Sequence, residues 1–162
     1  MKSENVIMST AILLTLISIW SCEHAVLDNG KISEYLEASK NGEFWRGAAE
    51  AAYSQYRPEG ELAILGIGTN DVIGFRIDFN GTGFYEIHAG KGFYYTTIGG
   101  DVVEDSYISF GYENDKLTIT TYDDKSQTIS GTFSLRVKSE TEEYRIVNFE
   151  LGNFVVKIKN FQ

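Results

Sequence analysis

One cysteine, one proline and two histidines are all that the chain holds of these residue types among its 162 residues. Each shortage excludes something. A secreted disulfide scaffold needs paired cysteines, so this fold must be held by its hydrophobic core. A structural zinc site needs three or four Cys, His or carboxylate ligands at suitable spacing. Cys22, His24 and His88 do not supply them. Nucleophilic catalysis by a Ser–His or Cys–His arrangement needs a well-held histidine base. His24 sits beside Cys22, and His88 ends a predicted strand with no Gly-x-Ser-x-Gly elbow anywhere in the chain. Gly66-Ile67-Gly68 and Gly90-Lys91-Gly92 do not lead into helices, so neither is a phosphate loop. Basic residues are scarce as well, 14 Lys and Arg against 23 Asp and Glu, for a net charge of −9. Such a body repels phosphate backbones and anionic lipid, which argues against nucleic acid as a partner and against adhesion through a basic patch. No catalytic residue, cofactor or metal is expected from this inventory.

Long apolar runs are also rare, and the one present is informative. Val6 to Trp20 is uncharged and apolar. It is shorter than the ~20 residues a membrane-spanning helix requires and fits the apolar region of a signal peptide. Ile19-Trp20-Ser21-Cys22 follows directly. It resembles a bacterial lipobox, with an aliphatic residue three before the cysteine and a small one just before it. Trp20 replaces the small residue usual at the intervening position. The resemblance implies diacylglycerol on the Cys22 thiol, cleavage before it, and a mature chain beginning there. Each buried CH2 contributes ~0.8 kcal/mol, and a single chain anchors only marginally, so durable attachment takes two or three acyl chains. The expected organisation is a signal peptide over 1–21, a lipid-anchored tether over 22–33 and a β-rich domain over 34–162.

What the chain has in plenty is aromatic and β-branched residues, including 10 Tyr, 10 Phe and 2 Trp, together with 16 Gly for turns. Short runs alternate with turn signals. Tyr35–Ser39 and Glu43–Gly47 flank Asn41-Gly42, a two-residue hairpin signal. Ala48–Tyr56 is rich in helix formers and reads as strand or helix. Strands are expected at Glu61–Gly68, Val72–Phe79, Phe84–His88, Gly92–Thr97, Ser106–Tyr112 and Lys116–Tyr122. The clearest is Gln127–Lys138, where Ile129, Gly131, Phe133, Leu135 and Val137 alternate with polar residues. Tyr144–Glu150 and Phe154–Asn160 read as a closing hairpin around Leu151-Gly152-Asn153. The fold class is all-β: an antiparallel β-sandwich, or alternatively a lipocalin-like up-and-down barrel, with about nine to ten strands.

Two groups of residues invite a site. Trp45, Tyr94, Tyr95 and Tyr107 are candidate ligand-binding aromatics, because large rings with polar rims bind sugars and peptides. Adjacent strand residues face opposite sides, so at least one of Tyr94 and Tyr95 belongs to the core. Asp101, Glu104 and Asp105, in an expected acidic loop, are candidates for a weak calcium site. Asp123 and Asp124 form a second acidic pair, in a turn where Asp is favoured in any case.

The stretch Leu117 to Ile158 contains Thr118-Ile119-Thr120, Asp123 and Ile129-Ser130-Gly131-Thr132-Phe133-Ser134, and later Val147-Asn148 and Gly152-Asn153-Phe154. It resembles a family of uncharacterised Bacteroidetes lipoproteins with a TIT-x-x-D … ISGTFSF pattern. Asn41-Gly42-Glu43-Phe44 matches that family's early Asn-Gly-x-aromatic hairpin. The resemblance implies an outer-membrane or other envelope lipoprotein with a β-rich domain, and no activity. The motif also has a packing explanation, in which Gly131 marks a bend or a close crossing. The expected function is a non-catalytic binding domain for a glycan, peptide or protein partner, anchored to the membrane through Cys22. The alternative is a hydrolase acting on envelope or dietary polymers through a carboxylate pair.

Overall fold

The computed structural model describes residues 27–28, 31–54, 60–141 and 145–159. The expected signal segment, Cys22 and His24 lie outside them. Among the described residues every regular element is a strand. Within the expected tether, β1 (Leu27–Asp28) pairs with β2 (Lys31–Ile32). Ten further strands form one sheet: β3 (Tyr35–Lys40), β4 (Glu43–Tyr53), β5 (Glu61–Ile67), β6 (Asp71–Asp78), β7 (Gly83–Glu86), β8 (Gly92–Ile98), β9 (Val102–Ser109), β10 (Lys116–Asp123), β11 (Thr128–Ser139) and β12 (Ile146–Lys159).

The pairing order β12-β3-β4-β5-β6-β8-β9-β11 returns to β12, so the hydrogen bonding runs round a ring. One edge of β11 is shared: Thr128–Ser134 pair with β10, and Val137–Ser139 pair with β9. β7 extends the sheet beyond β10. All contacts are antiparallel except a short parallel one, where Ile158 and Lys159 meet Ala51 and Ala52. The molecule is therefore all-β and sandwich-like or barrel-like, as its strand rhythm implies.

Period two decides what the ring encloses. Leu36, Leu62, Ile64, Ile73, Phe75, Leu117, Ile129, Leu135, Phe149 and Phe154 are fully buried in one cluster. Burying each such side chain contributes roughly 1.5–3 kcal/mol. Phe75 meets Phe133 edge-on with ring centroids 4.9 Å apart. Side chains thus fill the ring. At one end, partly buried Tyr53, Phe79, Tyr85 and Tyr122 pack against this core.

The structure decides one open reading and corrects two expectations. Ala48–Tyr56 is not helical where it is described: residues 48–53 continue β4, because β5 pairs along one edge while β3 (at Ala48) and the end of β12 (at Ala51 and Ala52) meet the other. Residues 55–59 lie outside the described set. Leu151-Gly152-Asn153 is not a hairpin turn either. It is a bulge inside the continuous strand β12, with Leu151 at φ 53° and 84% exposed. The bulge switches the inward parity from Phe149 to Gly152, Phe154 and Val156, so both halves of β12 face the core. Finally, Glu104 and Asp105 belong to β9 rather than to a loop, leaving only Asp101 in the turn.

One glycine of the resemblance motif and one buried acid just before it are packing devices. A Cβ on Gly131 would lie 1.9 Å from the Thr118 carbonyl oxygen, where β10 bulges against β11. Asp115, buried, clamps the β9–β10 connection onto β11 by accepting from the backbone N–H of Arg136 at 2.8 Å and of Tyr112 at 3.1 Å. Burial pushes the Asp115 carboxyl above the usual value, against the opposing pull of those two donors. An acid raised in this way holds its proton more readily folded than unfolded, so its contribution to stability falls as pH rises through that interval. Urea midpoints of wild type and Asp115→Asn measured from pH ~3 to ~6 should therefore show wild type losing ground to the variant as pH rises. A constant difference would refute this reading of Asp115.

Candidate functional site

Two turns gather at the other end of the ring. Asn41-Gly42 joins β3 to β4 with both residues at positive φ, 51° and 88°, as a two-residue hairpin requires. The Asn41 side chain accepts from the Asn148 N–H at 2.9 Å, which ties this turn to β12. The β5–β6 turn closes through Gly68 N–H to the Asp71 carbonyl, and Thr97 N–H of β8 donates to the Asn70 carbonyl at 2.7 Å.

The turns frame a polar network. Lys40 ends β3, Asp71 opens β6, and both have the inward parity of their strands. Lys40 Nζ donates to Asp71 Oδ2 at 2.8 Å and to the Tyr94 hydroxyl at 3.0 Å. The Tyr94 hydroxyl donates to Asp71 Oδ2 at 3.0 Å, and Trp45 Nε1–H donates to Asp71 Oδ1 at 2.9 Å. Three donors thus converge on one carboxylate. Burial works against the Lys40 charge, but its bonds to Asp71 and Tyr94 outweigh burial and hold its pKa above the ordinary lysine value. Burial raises the Tyr94 phenol, which stays protonated and able to donate. Gly68 makes the meeting possible: a Cβ there would stand 2.2 Å from Asp71 Oδ1.

A cleft of about 530 Å³ opens over this network. Phe44, 75% exposed, stands on its rim, and Thr96, Thr97 and Glu104 line another side. The other cation lining it, Arg46, is paired with Glu37 at 2.9 Å and lies over the Tyr35 ring.

The chain matches the family model described as Domain of unknown function (DUF6252) over residues 33–157. It belongs to the DUF6252 family. No curated protein and no solved structure matches the chain. In this DUF6252 domain the cleft is built from β3, β4, β6, β8 and β9, all within the matched span.

The expected aromatic platform takes a different form in the DUF6252 domain. Trp45, Tyr94 and Tyr107 are 8%, 3% and 2% exposed, because their parity points them into the ring. Trp45 and Tyr94 pack their rings on Phe149 and send only their polar atoms to the network. Tyr95 faces outward, half-buried and stacked on Phe93 across ring planes 4° apart. The exposed ring at the cleft is Phe44, the neighbour of the expected Trp45 and absent from the expected set.

The acidic candidates do not converge. Asp101 is exposed in its turn, Glu104 accepts from Thr96 Oγ1 at 3.4 Å, and Asp105 pairs with Arg145 at 2.8 Å. Among the described residues no group of three His, Cys, Asp or Glu stands together to hold a metal ion. Asp123 accepts from Ser126 Oγ and Lys125 N–H, bonds that hold its carboxyl below the usual range and shape the β10–β11 turn. His88 contributes its carbonyl, which accepts from Ser109 Oγ at 2.8 Å. Lys40 and Asp71 were legible only as a parity signal, two opposite charges on the inward positions of strands ending at turns.

Proposed function

We propose that this DUF6252 protein is an envelope lipoprotein, held at the outer membrane by acyl chains on Cys22, whose domain binds a partner without catalysis. This fits the resemblance to Bacteroidetes lipoproteins and the lipobox-like sequence. The observation that carries the binding reading is the cleft itself. An exposed aromatic ring, Phe44, stands beside polar groups already held in place by one another. Such preorganisation lowers the cost of ordering a site when a ligand arrives. Hydrolysis is less well supported. Asp71 and Glu104 line the same cleft, but Asp71 is paired with Lys40 and saturated with three donors, a poor state for a general acid or a nucleophile.

The test is site-specific photocrosslinking on intact cells, in strains carrying wild-type Cys22 or Cys22→Ala. A photoreactive phenylalanine at position 44 should trap an envelope component. The same group at Phe84, 57% exposed and on β7, should not. Radiolabelled palmitate should mark the Cys22 protein and leave Cys22→Ala unlabelled. Equal adducts at 44 and 84, or none at 44, would remove the cleft as the contact site. Labelling of Cys22→Ala would remove the anchor.

A further inference from the structure

We infer that the ligand of this cleft is a neutral, hydroxyl-rich saccharide, an inference that rests on the cleft being the binding site. The argument begins with charge. Both cations lining the cleft are matched to a carboxylate, Lys40 to Asp71 at 2.8 Å and Arg46 to Glu37 at 2.9 Å. A phosphate or carboxylate ligand would have to pull one of them from its partner, inside a chain of net charge −9. Glu104 adds a further acid to the lining. A cationic ligand would meet Lys40 beside Asp71, so that the nearest carboxylate is already neutralised. The lining therefore suits groups that carry no net charge.

Hydroxyls meet its hydrogen-bonding demand. A sugar hydroxyl both donates and accepts. The lining offers both kinds of group: the Thr96 and Thr97 hydroxyls, which donate and accept, the Glu104 carboxylate, and the third N–H of Lys40 beyond the two given to Asp71 and Tyr94. Phe44 supplies the other half of sugar recognition, a broad apolar face on which the C–H side of a pyranose ring can lie. An extended peptide is the weaker fit. Peptides commonly add to an open strand edge, whereas this cleft is framed by closed hairpins at Asn41-Gly42 and at Gly68–Asp71. A volume of about 530 Å³, open to solvent, accommodates part of an oligosaccharide and leaves the rest of the polymer outside.

The test is an NMR titration of the isotope-labelled full chain with maltose, cellobiose and diacetylchitobiose, and in parallel with inorganic phosphate and an acidic peptide. At least one sugar should shift the Trp45 indole N–H and the Thr96 and Thr97 amides saturably, with affinity on the order of millimolar or tighter. Phe44→Ala should weaken that binding about tenfold while leaving the Trp45 indole signal of the free protein in place. Phosphate or peptide shifting these signals as strongly as any sugar overturns the saccharide class. Silence with all three sugars overturns it too. If the position-44 crosslink on cells persists in either case, the cleft stands as a site and only its ligand class is wrong. If the crosslink also fails, both readings fall.

Discussion

Gly131→Ala is expected to destabilise the fold by about 3–5 kcal/mol, enough to leave a marginally stable domain largely unfolded. The cause is a backbone collision rather than lost flexibility. The added Cβ would meet the Thr118 carbonyl oxygen at 1.9 Å and the Thr118 carbonyl carbon at 2.9 Å, with the Phe154 ring at 3.0 Å behind. Neither the bulged β10 strand nor the ring can retreat without opening the β10–β11 ladder. Thr132→Ala, one residue on and facing solvent, should stay within about 0.5–1 kcal/mol of wild type. Urea unfolding of the three proteins measures both effects. Equal midpoints for Gly131→Ala and wild type would show that β10 moves away freely, and the packing explanation of the Ile129–Ser134 motif would fail.

Asp71→Ala should cost about 2–4 kcal/mol. The substitution leaves the Trp45 indole N–H and the Tyr94 hydroxyl without their acceptor at the edge of the core. Lys40 loses its counter-charge, but its side chain is 29% exposed and can turn towards water, which keeps the cost below that of a fully buried pair. Lys40→Met should cost less, about 1 kcal/mol, because Asp71 keeps two donors. The double variant should be more stable than the sum of the two losses implies, since each residue is the other's partner. A double-mutant cycle in urea gives the coupling directly. Additive losses would mean that Lys40 and Asp71 act independently, and the mouth of the ring would not be held by the network described. The same cycle bears on function, because a cleft whose polar groups are ordered in advance depends on this coupling.

Much of the architecture was readable before any coordinate. Thr128 to Lys138 alternates polar residues with apolar residues or Gly131 without a break, and such a segment can bury one face only as a strand. Asn41-Gly42 supplies two positive φ angles, so the β3–β4 hairpin follows from local chemistry alone. Ala48 to Tyr53 was not decided locally. Its alanines favour helix, and only β5 along one edge, with β3 and the end of β12 along the other, makes it strand. Leu151-Gly152-Asn153 carries the same composition whether the chain reverses or bulges. Pairing to β11 and β3 on both sides of it selects the bulge.

The candidate site divides along the same line. Residue parity placed one of Tyr94 and Tyr95 inside, and Tyr94 is the one. That Lys40, Asp71 and Tyr94 share one hydrogen-bonded cluster follows from no local pattern, since 31 residues separate the first two and 23 the last two. Alternation fixes the side of the sheet on which a residue lies. Only closure of the ring, through long-range strand pairing, fixes which inward residues meet at its mouth.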